Sequence, residues 1–279
     1  MITTPEQEYV REQGYVPEHV VRYATGISEG EPFLFDDFLV YARKSYLIFV
    51  GYPLKGVFDE GTMRQVLEKT VKHFKPRDVA VTAPAIPSFV AGPGTLTFDR
   101  YYRLDLSSLS ISQKVRNMLN RACRDLAVTR LRTFGSEHRQ LVDDFLKAHP
   151  VEEGTRFIFG RIDRYIESSE TAWIFEARER SGRLVAFDVA DFEPNHYAIY
   201  MFNFNAAAHL IPGASDLLLF EVIQQAQADG KSYVNLGLGI NPGVAFFKEK
   251  WGGTPFLRHA FALYHPGRTE NLETLLQKL

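Results

Sequence analysis

Residues 233–254, YVNLGLGINPGVAFFKEKWGGT, leave this chain little choice of local fold. Tyr233, Val234 and Leu236 make an apolar run of strand length, and Gly237 and Gly239 follow at once. Glycines there bring bare backbone to the carboxyl end of a strand, where ligands of open α/β sheets collect. Pro242 suits the first turn of a helix, since its fixed φ and missing N–H cost nothing at that position. The pattern predicts a short helix over residues 244–251, started by Pro242 and ended by Gly252 and Gly253, with its free N–H groups facing a crevice. Phe246, Phe247 and Trp251 pack this helix, and Lys248 and Lys250 are its cations. Such a crevice suits acidic or carbonyl groups.

Around this segment the chain reads as a mixture of strands and helices. Residues 171–177 and 183–190 are apolar runs joined by the turn pair Ser181-Gly182, which predicts a hairpin. A strand over 197–205 follows, then a loop over 206–214, then a helix capped by Ser215 or Asp216 and ended by Gly230. A last strand is expected over 256–264. Upstream, 128–134 reads as a strand, 137–148 as a helix closed by Pro150, and 155–168 as one further helix. The order over this half is β-α-α-β-β-β-α-β-α-β. The first half is a reduced echo: strands over 38–41 and 46–51 around Arg43-Lys44, a helix over 61–74, strands over 79–82 and 97–104, and a Pro/Gly-rich loop over 84–94.

Composition narrows the function classes. A chain of 279 residues, 45% hydrophobic and 24% charged, has enough apolar mass for one or two globular cores, and two ordinary domains are the expectation over one large one. A net charge of −2 gives no global attraction to nucleic acid or anionic membrane, so any such partner needs a local patch. With Cys123 alone, an intramolecular disulfide is excluded, and the first residues lack the basic and apolar regions of a secretory signal. A cytoplasmic location is the expectation. No apolar run approaches the roughly 20 residues of a membrane-spanning helix, which leaves peripheral membrane contact open. The histidines show no metal-ligand spacing, and Gly237-x-Gly239 is no dinucleotide fingerprint because position 242 is proline.

Two stretches carry a resemblance. DLSSLSISQKVRNMLNRACRDLAVTRLR, residues 105–132, resembles the linker of the Fem-type peptidyltransferases and of the phosphatidylglycerol lysyltransferase catalytic domain, where a basic helix ends in a short strand. Residues 212–230 with the segment 233–253 resemble the second domain of the same tandem branch, with its P-x-x-x-L-L start and F-K-x-x-[FW]-G ending. Both belong to the acyltransferase superfamily typified by the GCN5-related N-acetyltransferases (GNAT). The resemblance implies an α+β, tandem GNAT-like acyltransferase fold with a central mixed, mostly antiparallel sheet flanked by helices. It implies a reduced N-terminal domain over 1–110, a basic linking helix over 111–127 and a C-terminal catalytic domain over 128–279.

It also implies an acyltransferase that moves an acyl or aminoacyl group from acyl-CoA or aminoacyl-tRNA to an amine or hydroxyl of a small-molecule, lipid or peptide acceptor. No permanently bound cofactor is expected; acyl-CoA would be a co-substrate. The family's pyrophosphate loop, [QR]-x-x-G-x-[GA], is here Leu210-Ile211-Pro212-Gly213-Ala214-Ser215, without Arg or Gln. The amides of Gly213, Ala214 and Ser215 can still hold an anion at a helix N-terminus, yet the donor stays open between acyl-CoA and tRNA.

Acyl transfer to an amine needs a positioned acceptor, a proton acceptor and donors for the developing oxyanion. Lys248 is the first choice for charge stabilisation, because the resemblance places it beside the acyl group; the plain alternative is a solvated lysine. Asn235 and Asn241 can orient a carbonyl or amine, or else form turns. Glu176, Asp188, Asp191 and Glu193 are candidate bases; alternation puts Asp188 and Ala190 on one strand face and Val189 and Asp191 on the other. Tyr233, Tyr197 and Tyr200 are proton donors or packing aromatics. Lys114, Arg116, Arg121, Arg124, Arg130 and Arg132 face one acid, Asp125, within a short run. Arg116, Arg121 and Arg124, with Lys250, are therefore the candidate substrate-binding cations, unless carboxylates pair with them. The rival reading is a non-catalytic binding protein that keeps the fold, since fold does not certify chemistry.

Overall fold

The computed structural model describes residues 1–90 and 96–266. Of the loop expected over 84–94, positions 91–94 lie outside the described residues. In chain order the elements begin with α1 (Thr4–Gln13), a 3-10 turn (Pro17–His19), α2 (Val21–Ser28), β1 (Glu31–Phe35), β2 (Phe38–Arg43), β3 (Tyr46–Val50), α3 (Glu60–Phe74) and β4 (Asp78–Ala83). There follow β5 (Thr97–Asp105), α4 (Gln113–Asp125), β6 (Leu126–Leu131), α5 (Ser136–Ala148), α6 (Glu153–Phe159), α7 (Ile162–Ser168), β7 (Ala172–Glu179), β8 (Leu184–Asp191) and β9 (Tyr197–Asn205). The last are α8 (Ala214–Ala228), β10 (Tyr233–Leu238), α9 (Pro242–Lys250) and β11 (Thr254–Tyr264). Helices flank a mixed, mostly antiparallel arrangement of strands, an α+β fold; the described parallel pairs are β3 with β4 and β9 with β10.

Contacts group the chain into two units, Met1–Glu6 with Glu29–Asp99 and Arg258–Leu279, and Gln7–Ser28 with Arg100–Leu257. This partition is discontinuous in sequence, whereas the sequence reading drew linear boundaries at 110 and 127. Its physical origin lies in strand pairing: β11, at the far end of the described chain, pairs antiparallel with β4 from Ala260↔Ala83 to Tyr264↔Val79.

The first unit holds β1 to β4 and most of β11. Asp59 starts α3 by accepting the Thr62 N–H at 2.7 Å, and Lys75 ends it in a left-handed conformation. Met63, Val66 and Leu67 of α3 then pack on Phe38, Val40, Leu47, Phe49, Val79 and Val81. Tyr46 to Val50 run parallel to Asp78 to Thr82, so β3, α3 and β4 form a crossover unit.

The second unit orders its strands β5-β10-β9-β8-β7-β6. β8 is buried along its whole length, and the two faces of its alternation feed two cores. Ala186 and Ala190 join Leu217, Leu218, Val222 and Ile223 of α8. Phe187 and Val189 join Leu141 and Val142 of α5 and Ile162, Tyr165 and Ile166 of α7 on the other side.

Four expectations change. The helix expected over 155–168 is two helices, α6 and α7, because Gly160 caps α6 and Arg161, at φ −122° and ψ 12°, leaves the helical region with its guanidinium 3.6 Å from the Phe157 ring centre. α8 is capped by Gly213 at φ 89° and not by Ser215 or Asp216, whose side chains are engaged elsewhere. β6 starts at Leu126, since α4 runs into it without a loop. α1, α2 and β1, short or partly polar, were not anticipated. Among the described residues no helix is long and apolar enough to cross a membrane, and no cluster of His, Cys, Asp and Glu has the makings of a metal site.

Candidate active site

The parallel ladder between β9 and β10 is short. It pairs Tyr233 with Tyr197, Val234 with Ala198 and Asn235 with Ile199, and goes no further. Beyond Ile199, β9 continues to Asn205 with its described pairing on the β8 side. On its other side β10 bulges between Asn235 and Gly237 and stays with β5, Gly237 opposite Tyr102 and Leu238 opposite Tyr101. The two strands therefore part at their carboxyl ends, and the backbone edges facing one another across the opening form a cleft.

Asn235 builds the bulge. It is fully buried, its Nδ2 donates to the Tyr15 carbonyl at 3.1 Å, and its Oδ1 accepts the Gly237 N–H at 2.9 Å. Gly237 can then take φ 75°, which an L side chain adopts only at a cost. Ile240, a β-branched residue, sits at φ 61° just beyond, and local strain of this kind gathers at functional sites. Asn241 caps α9, accepting the Val244 N–H at 3.0 Å, and so aims the first turn of α9 as the proline signal suggested.

Lys248 is the cation this frame delivers to the cleft. It is 4% exposed, and its ammonium donates to the Leu238 carbonyl. A Cβ added at Gly237 would lie 3.8 Å from Lys248 Nζ and 3.6 Å from the Tyr200 carbonyl oxygen, so ammonium, strand end and the parting β9 edge share one place. The Tyr102 ring centre is 5.8 Å from the ammonium, and its hydroxyl donates to Glu249 Oε1 at 3.3 Å.

Other candidates lie elsewhere or are engaged. Tyr233, at the opposite end of β10, stacks on Tyr197 at 5.0 Å under the Arg103 guanidinium, and burial pushes its hydroxyl up to about 12. Lys250 pairs with Asp216 Oδ1 at 2.6 Å, and the same oxygen accepts the Trp251 indole N–H at 2.9 Å. That part-buried pairing ties α9 to α8 and engages the Lys250 ammonium, which the sequence offers as a substrate contact.

Among the acids, Glu176 is bound by Arg178 at 2.8 Å and lies 2.7 Å from His138 Nε2. Asp191 accepts the Tyr165 hydroxyl and the Glu193 N–H on the α7 side. Glu193 faces Arg11 at 3.8 Å, with burial raising it to about 7. Asp188 alone of the four faces α8. It is fully buried, burial lifts it well above the carboxylate range, and its Oδ1 accepts from Asn203 Nδ2.

Asn203 and Asn205 went unnoticed in the sequence, although Met201-Phe-Asn-Phe-Asn205 alternates apolar and amide residues as a two-faced strand should. Asn203 Oδ1 accepts from Asn205 Nδ2 at 2.9 Å and from Ser215 Oγ at 3.2 Å. A polar chain thus runs from buried Asp188 to the start of α8. There Gly213 is covered by α4, since an added Cβ would meet Met118 Cγ at 2.9 Å and Ala122 Cβ at 3.3 Å. The Ala214 N–H is given to the Ile211 carbonyl at 3.2 Å. Of the anion cradle proposed at Gly213, Ala214 and Ser215, one amide and the serine hydroxyl are already committed.

Arg116 folds back on Gln113 and the Ile111 carbonyl. Arg121 and Arg124 are exposed on α4 and form no ion pair or side-chain hydrogen bond among the described residues. Arg130 and Arg132 stack on Trp173, at 4.3 and 5.5 Å.

The strand pair that parts at its carboxyl ends, followed by α8 on one arm and α9 on the other, belongs to a fold that the chain shares with solved tandem GNAT and Fem-type proteins. The chain is similar to L-PGS from Bacillus licheniformis, with 16% identity, a TM-score of 0.59, and coverage of 99% of this chain and 96% of that one. It is similar to FemX at 8% identity and a TM-score of 0.62, covering 100% and 98%. It is also similar to the C-terminal domain of a putative lysylphosphatidylglycerol synthetase from Agrobacterium fabrum, at 16% identity and a TM-score of 0.56, covering 99% and 95%. No protein-family model matches the chain, and no curated protein does.

Proposed function

We propose that the chain is an acyltransferase whose reaction takes place in the cleft between β9 and β10. An amine or hydroxyl of a small-molecule, lipid or peptide acceptor attacks the carbonyl of an acyl-CoA or aminoacyl-tRNA donor, Lys248 with nearby backbone amides stabilises the oxyanion, and its collapse breaks the thioester or ester bond, so that CoA or tRNA leaves with the proton the acceptor gives up. The observation that carries this reading is the buried Lys248 ammonium at the parted strand end. A cation in a water-poor site acts on developing charge far more strongly than one in solvent. The fold shared with L-PGS and FemX supports it at the level of reaction class.

Asn235 is assigned the shaping of the Gly237 bulge and Asn241 the aiming of α9; both are positioning residues. Tyr233 is assigned to packing. The donor is held either at Gly213, Ala214 and Ser215 as acyl-CoA or through Arg116, Arg121 and Arg124 as aminoacyl-tRNA. The commitments of the α8 start favour the second.

The test is a panel of acyl-CoAs and charged tRNAs with amine and hydroxyl acceptors, first for binding by thermal shift and then for product. Lys248→Met is expected to lower turnover by about 100-fold or more, the usual size for losing one oxyanion donor, while donor affinity stays close to wild type. Unchanged turnover in Lys248→Met would overturn the assignment. A second reading, a binding protein that keeps the fold, is favoured by the engagement of Glu176, Asp191 and Lys250 in internal pairs. Donor binding with no product from any acceptor would select it.

A further inference from the structure

Acyl transfer at the parted strand end needs a group to take the acceptor's proton, and the acids considered so far are poorly placed for it. Glu176 and Asp191 are held by internal partners, Glu193 stands by Arg11, and Asp188 is fully buried on the α8 side.

Another acid reaches the strand end from the opposite face of the sheet. Tyr102 of β5 packs in the core that α8 covers, with its ring centre 5.8 Å from the Lys248 ammonium. Strand alternation turns its neighbour Tyr101 the other way, and there the Tyr101 hydroxyl donates to Glu18 Oε1 at 3.0 Å and Oε2 at 2.9 Å. Tyr101 also stands opposite Leu238 of β10, whose carbonyl accepts from Lys248. One rung of the β5–β10 ladder is thus tied to a cation on one face and to a carboxyl on the other.

The chain before α2 fixes Glu18 in that place. Pro17–His19 is the 3-10 turn, and Tyr15 ahead of it gives its carbonyl to Asn235, the residue that shapes the Gly237 bulge. Val20 behind it packs on Tyr197 and Ile199 of β9, and Ile199 is the last rung of the parallel ladder before the strands part. Residues 15–20 are therefore anchored on β5, β9 and β10, the three strands at the opening, with Glu18 among the anchors. Its side chain is part-buried, so a substrate can still meet it. Burial raises the carboxyl above its ordinary value, opposed by its own backbone N–H and by the Tyr101 hydroxyl, and a more basic carboxylate is the better proton acceptor. Tyr23 of α2 and Tyr197 of β9 feel its charge, and His19, next in the chain, accepts the Tyr15 N–H at 3.2 Å.

We propose that Glu18 is the general base of the reaction assigned to the cleft, with Tyr101 as its positioning residue. This rests on the acyl-transfer reading and adds to it the path of the proton. Glu18 takes the proton of the attacking amine or hydroxyl as nitrogen or oxygen bonds to the donor's carbonyl carbon, and the carbonyl electron pair moves to the oxygen on the Lys248 side. When that pair returns, the C–S bond of a thioester or the C–O bond of an ester breaks, and the leaving sulfur or oxygen receives the proton that Glu18 held.

Wild type, Glu18→Gln, Glu18→Asp, Tyr101→Phe and Lys248→Met are compared with acetyl-CoA and with an aminoacylated tRNA as donors, against amine and hydroxyl acceptors, from about pH 5.5 to about pH 9. Glu18→Gln keeps an oxygen for the Tyr101 hydroxyl and is expected to hold the wild-type urea midpoint and donor affinity, while kcat falls about 100-fold or more and the acidic limb of the pH profile disappears. Glu18→Asp is expected to regain part of the turnover together with the limb. Tyr101→Phe removes a hydrogen bond that favours the charged carboxylate, so its limb is expected at higher pH. Wild-type turnover in Glu18→Gln, or a loss by one factor at every pH with the limb in place, would overturn the proposal. A loss in Glu18→Gln with none in Lys248→Met sinks the lysine assignment alone, the reverse sinks the Glu18 assignment alone, and no product from wild type with any pair sinks both.

Discussion

Gly237 shows how much one residue's backbone decides here. Its φ of 75° places the Tyr200 carbonyl and Lys248 Nζ at ordinary contact distances from a missing Cβ, so Gly237→Ala has room and meets only conformational cost. That cost is about 1–2 kcal/mol for a residue forced left-handed, readable as a lowered urea midpoint with unchanged m-value. Asp188 behaves differently. Burial favours its neutral form, opposed by hydrogen bonds from Asn203 and Tyr200. Asp188→Asn keeps an acceptor of the same shape and is expected to stay within about 1 kcal/mol of wild type in chemical unfolding. Asp188→Leu strands the Asn203 amide and is expected to cost about 1–3 kcal/mol. The place of Lys248 on a short helix after the glycines was legible in the sequence because its F-K-x-x-W-G setting is local. Asn235 was not, since its partner is the carbonyl of Tyr15, 220 positions away. Lys250 read as a substrate-binding cation because Asp216, its partner, sits on another helix.

At the scale of elements, α9 is held at both ends by chemistry that the sequence displays. Asn241 caps it, and Asn241→Ala is expected to cost about 1 kcal/mol, with a larger relative loss of any cleft activity than of stability, because the cap aims the helix whose last turn carries Lys248. At the other end Gly253 admits no side chain: an added Cβ would stand 2.7 Å from Leu236 Cδ1 and 2.8 Å from the Lys248 carbonyl oxygen. Gly253→Ala must displace backbone and is expected to lower the melting temperature more than Gly237→Ala does. Strands β7 to β10 and helices α8 and α9 were legible because each couples a clear period to a turn signal. The break between α6 and α7 was not, since Phe157, Ile158, Ile162 and Tyr165 keep helical spacing across it while Gly160 quietly ends the first helix.

For the molecule as a whole, the two units hold separate cores, and the first carries a pH liability of its own. His259 is buried beside Tyr52 and Thr82, and burial lowers it to about 4 although Asp99 pulls the other way. The unfolded chain takes up its proton near pH 6.5, the folded chain only near pH 4, so stability is complete above pH 6.5 and is lost as pH falls between these values. The loss approaches about 3 kcal/mol. Unfolding free energies of wild type and His259→Gln, measured from pH 7 to 4, should diverge by a slope that the variant lacks. The discontinuous partition was beyond sequence reading because the pairing of β11 with β4 joins residues far apart in the chain. Cys123, exposed on α4 next to Arg124, gives the molecule a practical property as well. With one thiol in the whole chain, a maleimide dye or nitroxide goes to a single known address without any residue being removed, and its emission or line shape would report what settles on the exposed face of α4.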